Sequence, residues 1–497
     1  MSTPLVPRLP IPEAFDADYL EYNGILPLEI VDQRLRVAVV GEPAVEVLDD
    51  LERSFDAPLE LVVVTKEELR DAIRRTYAAA ESVVELVRDL DGVLGPGGDG
   101  VEAGLVDARD LANQPPVIRF VNLLIREAHD ARASDVHLES TREGLRARFR
   151  VDGVLAEVPS PPKALQAAVV SRVKLLADLD IAERRAPQDG RIRVRLEERE
   201  LDLRVSTVPT LYGESVVLRL LDRGGRPVGL EELGMAPETL ARYQALAQRP
   251  HGILLATGPT GSGKTTTLYA ALGLRRRDAE KILTVEDPVE YHLDGVTQVP
   301  VNVKAGMSFA AALRSLLRQD PDVLMVGEMR DPETAAIAVQ AAMTGHLVFS
   351  SLHTNDAASA VTRLVDLKVE PYMIAASLEG ILAQRLVRRI CPDCRTRYHP
   401  DPQAVALLAE QPVGKLTLER GKGCSTCRDT GYRGRTGLFE LLHVTDEIKH
   451  AIAGHPSHAE LRELARAAGM KSLRQDGWAK VQAGITTVEE VLRVTEH

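Results

Sequence analysis

The sequence has few aromatic residues and no long apolar run. Aromatic residues make up 4% of the 497 residues, with one tryptophan. Few aromatic side chains leave little for nucleic acid bases to stack on. No apolar stretch approaches the roughly 20 residues needed to cross a bilayer, and the N-terminal segment MSTPLVPRLPIPEAF lacks the charged head and apolar core of a signal peptide. We therefore expect a cytoplasmic protein.

Basic residues are also fewer than acidic residues. The chain has 61 Lys and Arg residues against 73 Asp and Glu residues, a formal net charge of −12. This balance argues against a general affinity for nucleic acid or for an anionic membrane, although a local basic patch stays open. With 44% hydrophobic and 27% charged residues the chain is neither disordered nor fibrous, and its length suits about two to four domains.

Cysteine is scarce, and the cysteines that occur form two pairs. CPDC contains Cys391 and Cys394, and CSTC contains Cys424 and Cys427. Two such pairs can bring four thiolates together in a closed tetrahedral Zn²⁺ site. We therefore predict a structural zinc module over about 388–432, in preference to disulfides or to reduced cysteines of an ordinary core.

Composition and hydrophobic period divide the chain into four regions. Residues 1–90 alternate short apolar strands with helical stretches, which is typical of a small α/β module. Residues 91–116 are rich in Gly and Asp and end in a double proline, which predicts a flexible linker. Residues 117–228 begin with a helix and continue with half-exposed strands. In residues 229–497 buried apolar runs alternate with helices, which predicts a parallel sheet covered by helices and a helical C-terminal region.

The stretch GPTGSGKTTT follows the apolar run GILLAT. From Gly258 to Thr265 it fits the phosphate-loop pattern between a strand and a helix, where a chance glycine-rich turn is the alternative. Backbone N–H groups and the helix N-terminus favour a bound phosphate there. Lys264 is predicted to reach the β- and γ-phosphates, and the Thr265 hydroxyl to bind Mg²⁺. The predicted nucleotide-binding residues are Gly258, Pro259, Thr260, Gly261, Ser262, Gly263, Lys264, Thr265 and Thr266.

Acidic and histidine side chains follow three later strands. KILTVEDPVEY ends with Glu286, Asp287 and Glu290, VLMVG leads to Glu328, and HLVFSSLHTND carries His353 beyond its strand. Ligands bind at the carboxyl ends of strands in open α/β sheets. A carboxylate there can hold Mg²⁺ or polarise water, and an imidazole can sense a γ-phosphate. Isolated acids and histidines at strand ends are common, but their convergence after a phosphate loop predicts a hydrolytic site.

Arginine alternates with apolar residues in the strands of residues 117–228. The alternation predicts a sheet with one exposed face, and a solvated charged face is the ordinary interpretation of such arginines. The arginines at these positions are Arg146, Arg148, Arg150, Arg191, Arg204 and Arg219.

Together these residues resemble the secretion and type IV pilus ATPases, which are hexameric motors of bacterial type II secretion and pilus assembly. GPTGSGKTTT looks like the phosphate loop of that family and ILTVEDPVEY like its acidic box. RQDPDVLMVGEMRD looks like its magnesium-site segment and TGHLVFSSLHTND like its histidine box. The similarity continues upstream through ASDVHLE, RFRVDG, RRAPQDGRI and LDLRVSTVPTLYGES, so it covers nearly everything from about Val117 onward.

The resemblance implies roles for the matching residues of the predicted ATPase domain. Lys264 and Thr265 would bind phosphate and Mg²⁺. Glu290 would be the general base, and Glu328 would lie at the metal. His353 would help to communicate the state of the γ-phosphate.

Three further residues take a role from the resemblance alone. His346 belongs to the histidine box together with His353. Arg204 and Arg219 match arginines of the family that reach the nucleotide from the preceding domain and stabilise charge. Spacing leaves open whether they act within one subunit or across an interface. An arginine finger of this kind can contribute ~10³ or more in rate.

The resemblance also implies an architecture and partners. It predicts an α/β multidomain chain with a RecA-like P-loop ATPase domain, preceded by a PAS-like domain and a small N-terminal α/β domain, with a zinc-binding insertion. The implied cofactors are ATP, Mg²⁺ and structural Zn²⁺. The implied partners are five further copies in a homo-hexamer, the cytoplasmic domain of an inner-membrane secretion protein that binds the N-terminal domain, and an inner-membrane platform protein. Nucleic acid is not among them, and the chain would be cytoplasmic, held at the inner membrane through its partners.

The implied function is to power pseudopilus assembly and protein export across the outer membrane in type II secretion. LPIPEAFDADYLEYNGILPLE is similar to the start of type II secretion ATPases, and in this family the cysteine insertion is typical of assembly and secretion motors, not of retraction motors. A type IV pilus assembly ATPase is the nearest alternative. Two alternatives come from other classes: a nucleic-acid motor, which DNA-stimulated turnover would indicate, and a nucleotide-sensing scaffold, which would release no phosphate.

Overall fold

The computed structural model describes residues 15, 17–31, 34–41, 43–55, 57–78, 86–87, 112–196, 199–222, 228–275, 278–409 and 416–495. These residues form two compact units. The first unit holds a three-stranded sheet and most of a six-stranded sheet. The second holds a seven-stranded sheet, a two-stranded sheet and the C-terminal helices. Most of the predicted linker, residues 91–111, lies outside the described residues.

The N-terminal part is built on the three-stranded sheet. Its elements are α1 (Ala17–Asn23), β1 (Ile25–Val31), β2 (Arg34–Val39), α2 (Val45–Phe55), β3 (Leu59–Val63) and α3 (Lys66–Ala78). β1 pairs antiparallel with β2, and β2 pairs parallel with β3. Leu20, Ile25, Leu35 and Leu51 are fully buried between the helices and the sheet, so this layer has an apolar core of its own.

The six-stranded sheet follows in the chain. Its region contains α4 (Pro115–Asp130), β4 (Ala133–Ser140), β5 (Leu145–Val151), β6 (Val154–Glu157), α5 (Gln166–Leu176), β7 (Gln188–Leu196), β8 (Arg199–Thr210) and β9 (Gly213–Asp222). The strand order is β6-β5-β4-β9-β8-β7. On α5, Lys174 is buried and its Nζ donates to Glu214 Oε1 at 2.8 Å. A buried charge is tolerated when it is paired in this way. The PAS-like nature of this region stays a prediction.

The second unit is built on a largely parallel sheet. Its elements are α6 (Pro237–Ala247), β10 (Gly252–Thr257), α7 (Lys264–Leu272), β11 (Ile282–Glu286), β12 (Thr297–Pro300), α8 (Phe309–Leu316), β13 (Val323–Val326), α9 (Pro332–Met343), β14 (Leu347–Leu352), α10 (Ala357–Asp366), α11 (Pro371–Ser377) and β15 (Leu378–Ile390). The strand order is β12-β11-β13-β14-β10-β15, closed by an antiparallel seventh strand. Every residue of β10, β11, β13 and β14 is buried, because helices cover both faces of a parallel sheet. The predicted α/β fold is confirmed.

The chain ends in a small hairpin, the seventh strand and a helical region. The elements are β16 (Arg395–Tyr398), α12 (Pro402–Leu408), β17 (Leu418–Gly421), β18 (Tyr432–His443), α13 (Asp446–Ala453), α14 (His458–Ala467), α15 (Leu473–Gln482) and α16 (Val488–Thr495). Glu490 on α16 accepts hydrogen bonds from Arg388 of β15 and from Arg493, at 2.7 and 2.8 Å. Burial opposes the ionisation of Glu490, but the arginines hold its pKa at about 2. This ionic cluster attaches the last helix to the sheet. Throughout the described residues, each helix is too short or too polar to span a membrane.

Candidate nucleotide site and cysteine cluster

The predicted phosphate loop lies at the carboxyl end of β10, which is flanked by β14 and β15. The loop runs from the end of β10 at Thr257 to the start of α7 at Lys264. Gly258, Gly261 and Gly263 have φ values of 149°, 78° and 89°. Residues with a Cβ rarely adopt such angles. The three glycines of the motif are therefore required by the backbone conformation of the loop.

Two of these glycines also pack closely against β15. A Cβ on Gly258 would stand 2.4 Å from the main-chain oxygen of Gln384, and a Cβ on Gly263 would stand 2.7 Å from Gln384 Nε2. Nothing lies within 4 Å of the corresponding position on Gly261. Glycine is therefore required at the first and last positions by close packing as well as by the φ angle. At the middle position it is required by the φ angle alone.

Lys264 is buried at the first position of α7. Its Nζ donates to the main-chain oxygens of Gly258 and Pro259, at 2.7 and 3.0 Å. Burial lowers the pKa of Lys264 to about 8, with Glu328 opposing the shift and Arg385 adding to it. The ammonium group thus lies over its own loop, close to one acid and one further cation. Thr265 and Thr266 are half-buried in the first turn of the same helix.

Glu328 and His353 meet beside this lysine. His353 Nε2 lies 3.3 Å from Glu328 Oε2, and the other carboxylate oxygen of Glu328 pairs with Arg330. Burial and Lys264 lower the pKa of His353, while Glu328 opposes the shift. The structure therefore brings together three of the predicted site residues, Lys264, Glu328 and His353, from three different strand ends.

The acids of the acidic box have different surroundings. Glu286 is buried at the end of β11, where it accepts hydrogen bonds from Thr284 at 2.6 Å and Gln298 at 3.2 Å, and from the Tyr269 hydroxyl. Burial raises the pKa of Tyr269, and its hydrogen bond to Glu286 adds to the shift. Glu290 is half-buried beyond the strand, and its charge contributes to the raised pKa of Tyr269. The partners of Glu286 give it a structural role, and the assignment of Glu290 as the general base stays a prediction.

The two histidines of the histidine box lie at opposite edges of the sheet. His346 precedes β14, where its Nδ1 lies 2.9 Å from the main-chain oxygen of Ala341 and 3.3 Å from Thr344 Oγ1. His353 follows the carboxyl end of β14, which is the edge that carries the phosphate loop. Only the second histidine is therefore placed to face a phosphate.

The two predicted arginine fingers lie in the first unit. Arg204 is half-buried on β8, and Arg219 is on β9. Arg219 Nε donates to Asp135 Oδ1 at 2.9 Å, and Arg150 Nε lies 3.8 Å from the other oxygen of Asp135. Asp135 is buried, so it orients the arginine it holds. The approach of these arginines to a nucleotide stays a prediction.

Sequence reasoning missed two polar residues on β15. Gln384 Oε1 accepts from Thr267 of α7 at 2.6 Å. Arg385 Nη2 donates to the main-chain oxygen of Asn355 at 3.0 Å. Their only signal in the sequence is a polar pair inside the apolar run ILAQRLV, since a buried polar group requires a partner.

The four cysteines form one cluster, and their ligand atoms all lie within 4.8 Å of one another. The sulfur of Cys391 lies 3.9 Å from that of Cys424, and the sulfur of Cys394 lies 3.8 Å from that of Cys427. Backbone N–H groups of Cys424 and Gly431 both donate to Cys427 Sγ at 3.2 Å. Burial opposes ionisation of Cys427, but these donors lower its pKa to about 7. A closed set of four sulfurs with N–H donors to thiolate fits structural zinc.

The fold and the site define a class of protein. A phosphate loop follows an interior strand of a largely parallel sheet, and a lysine, a glutamate and a histidine converge beside it. This arrangement is that of an α/β P-loop ATPase. The family model described as "Type II/IV secretion system protein" matches residues 110–493, so the chain belongs to this family. The model of the MshEN domain matches residues 3–83.

Curated relatives match along most of the chain. The type II secretion system protein E of Xanthomonas campestris is 46% identical over 98% of this chain and 86% of its own length. The type II secretion system protein HxcR of Pseudomonas aeruginosa is 49% identical over 89% of this chain and 91% of its own length. The type IV pilus assembly ATPase PilB of Myxococcus xanthus is 43% identical over 95% of this chain and 84% of its own length.

Solved structures show the same fold. The pilus retraction motor PilT, solved with bound ADP, has a TM-score of 0.53 and 26% identity, and the match covers 75% of this chain and 96% of that chain. The ATPase DotB of Legionella pneumophila has a TM-score of 0.55 at 20% identity, over 76% and 95% of the two chains. The resemblance drawn from the motifs is confirmed, and so is the prediction of an ATPase.

Proposed function

We propose that this chain is the ATP-hydrolysing motor of a type II secretion system, acting as a homo-hexamer that powers pseudopilus assembly and protein export across the outer membrane. The convergence of Lys264, Glu328 and His353 at the end of the parallel sheet carries the proposal. The relatives named type II secretion system protein E support this choice of process. The pilus assembly ATPase at 43% identity keeps pilus extension as the second candidate.

Each group of the site has a proposed role. Residues 258–266 bind the nucleotide, with Lys264 on the terminal phosphates. Thr265 and Glu328 would hold Mg²⁺, which when bound neutralises charge between the β- and γ-phosphates. Glu290 accepts a proton from the attacking water. His353 links the state of the γ-phosphate to Glu328, with which it is in contact.

Charge stabilisation is assigned to the arginines of the first unit. Arg204 and Arg219 would reach the transferring phosphoryl group, either within one subunit or from a neighbouring one. Asp135 supports this assignment for Arg219, because a hydrogen-bonded carboxylate restricts the guanidinium to few orientations. Loss of either arginine would then lower turnover more than it lowers affinity for ATP.

The proposal also includes a bound zinc ion and a location of the protein in the cell. Cys391, Cys394, Cys424 and Cys427 would bind one structural Zn²⁺. The N-terminal domain would dock on the cytoplasmic domain of an inner-membrane secretion protein, with a platform protein as a further partner. The chain would thus work in the cytoplasm at the inner membrane without binding nucleic acid.

Two substitutions test the assignment of the site. Lys264→Ala should abolish phosphate release, because the ammonium group proposed to bind the terminal phosphates is lost. Glu290→Gln should lower kcat by about 100-fold or more while ATP still binds, because general-base catalysis is worth roughly 10²–10⁴ in rate. Steady-state phosphate release and binding of a fluorescent ATP analogue measure the two effects.

An exposed acid on the same segment provides the matched control. The side chain of Asp294 is 99% exposed, so Asp294→Asn should leave both turnover and binding unchanged. Full turnover by Glu290→Gln would show that another group is the base. Parent-like turnover by Lys264→Ala would remove the nucleotide site from this loop.

A further inference from the structure

Arg385 lies on β15 between two parts of the nucleotide site, and it is only 4% exposed. Its Nη2 donates to Asn355 at 3.0 Å for the main-chain oxygen and 3.3 Å for Oδ1. Asn355 comes two residues after His353. On the other side, Arg385 Nη1 donates to the main-chain oxygen of Gln384 at 3.2 Å, and it would stand 3.1 Å from a Cβ on Gly258. One guanidinium thus donates to the segment that carries the histidine box and lies close to the first glycine of the phosphate loop.

The charge of Arg385 is costly where it lies. Burial lowers its pKa, while the more distant Glu440 and Asp356 oppose the shift. Within the described chain, no carboxylate stands close enough to form an ion pair with it. Burying a charge is strongly unfavourable before any partner compensates, and well-packed apolar residues often replace buried charged groups without loss of stability. A buried arginine at this position therefore needs an explanation beyond packing of the core.

The neighbouring Gln384 strengthens the connection between β15 and the phosphate loop. Its Oε1 accepts from Thr267 on α7, and its Nε2 lies where a Cβ on Gly263 would collide. Two consecutive residues of one strand therefore contact the beginning of the loop, its end and the following helix. β15 pairs with β10 as far as Ala383 and with β18 through Gln384 and Arg385, so the backbone that carries these two residues is held within the sheet.

We propose that Arg385 is a positioning residue for ATP hydrolysis. It holds Gly258 and Asn355 in a fixed relation, so that Lys264 and His353 face the same phosphoryl group. In this role the guanidinium acts through Gly258 and Asn355, and the reacting groups belong to other residues. This inference rests on the proposed nucleotide site.

The change Arg385→Lys in the full-length protein tests the proposal. Lysine keeps the buried charge and most of the stem, but its ammonium lacks the planar fork that reaches two partners at once. We expect kcat to fall about 10-fold or more with KM for ATP within about 3-fold, because a displacement of ~1 Å in a reacting group can cost about 100-fold in rate. Asn355→Ala removes only the side-chain contact, so kcat should fall about 3-fold, the loss of one hydrogen bond.

A second arginine on the same strand is the matched control. Arg388 pairs with Glu490 on α16 and contacts no residue of the nucleotide site in the described chain. Arg388→Lys should lower the melting temperature yet keep kcat within about 2-fold, since its partners are structural. Comparing melting temperature, kcat and KM across the variants separates a positioning role from a loss of folding.

Three results would overturn the inference. The first is a kcat of Arg385→Lys equal to that of the parent protein, and the second is an equal loss of kcat in Arg385→Lys and Arg388→Lys. The third applies if Arg385→Lys does not fold, and it is a kcat of Asn355→Ala equal to that of the parent protein. Failure of the nucleotide site itself is recognised separately, because Lys264→Ala would then still release phosphate. An inactive Lys264→Ala together with a fully active Arg385→Lys would contradict this inference alone.

Discussion

At the scale of single residues, burial assigns different tasks to side chains of the same kind. Glu286 and Glu290 belong to one short segment, yet the first is buried with three hydrogen-bond donors and the second is half-buried beyond the strand. A carboxylate whose oxygens are already satisfied is poorly placed to take a proton from water. The histidines at 346 and 353 differ by position instead, because they lie at opposite ends of β14.

The glycines of the phosphate loop allow a prediction at this scale. Gly258→Ala should lower both the melting temperature and the affinity for ATP, because the new Cβ would stand 2.4 Å from the main-chain oxygen of Gln384. Gly261→Ala meets no neighbour within 4 Å, so it bears only the cost of positive φ, about 1 kcal/mol. Thermal unfolding and nucleotide titration of the two full-length variants compare these costs.

Equal effects of the two alanine variants would contradict this account. The unfavourable φ angle would then be the whole cost, and contact with β15 would contribute nothing. A larger loss at Gly258 than at Gly261, in both stability and affinity, is the expected result.

At the scale of secondary-structure elements, the cysteine cluster closes an excursion between two paired strands. Cys391 comes directly after β15, and Cys427 lies shortly before β18, its antiparallel neighbour. Residues 391–431 thus leave the sheet and return to it. In the described part of this excursion β16 and β17 form a two-stranded sheet, and its apolar residues pack in a core with Val387 and Leu438 of the large sheet. A two-stranded sheet adds little stability by itself, so a metal bound to all four sulfurs would stabilise this excursion further.

Removing one sulfur tests the prediction that the cysteine cluster binds a structural metal. Cys391→Ser should lose about one zinc per chain and make residues 391–431 sensitive to protease, because a closed structural site needs all four ligands. Elemental analysis and limited proteolysis measure the two effects. Ser425→Ala is the matched control, since Ser425 is exposed between two cysteines and contributes no sulfur. Unchanged zinc content in Cys391→Ser would refute the metal assignment.

At the scale of the whole molecule, the proposed chemistry is divided between the two units. The arginines Arg204 and Arg219 belong to the first unit, and the phosphate loop belongs to the second. If these arginines act across a subunit interface, assembly of the hexamer would control turnover, and weak activity of dilute protein is compatible with the proposed motor.

The choice between secretion and pilus assembly is also tested at this scale. The full-length chain, used as bait in membranes of its native host, should capture an inner-membrane protein of the secretion system. The chain without residues 1–90 should lose that capture, because the N-terminal domain is the proposed docking domain. Capture of a pilus platform protein alone would favour the pilus motor. Capture that survives the truncation would show that docking uses another region.

Local motifs made much of the site predictable. The phosphate loop depends on glycine conformations and on a strand followed by a helix, which are encoded within about ten residues. Paired cysteines at short spacing predict their own clustering in the same way. Acids and a histidine after apolar runs indicated the correct sheet edge, because parallel strands share one direction. The predicted α/β fold rested on the same alternation of apolar runs and helices.

Long-range packing determined the features of the site that the motifs do not predict. In the sequence, several polar residues stand at or within apolar runs and cannot be told apart, among them Glu286, Gln384 and Arg385. Only the folded sheet shows which contact each of them makes. Thr267 and Gln384 are far apart in the sequence but form a hydrogen bond at 2.6 Å. A single sequence carries no local signal for such a pair, because strand order in a parallel sheet differs from chain order.

The sequence alone thus determined the class of chemistry: a phosphate loop, acids at strand ends and a four-cysteine cluster, each set by short-range spacing. Only the tertiary structure decided which acid is buried, which histidine faces the loop and which strand supports the site. The physical reason is that spacing determines local backbone geometry, whereas burial and hydrogen-bond partners depend on elements that meet only when the chain is folded.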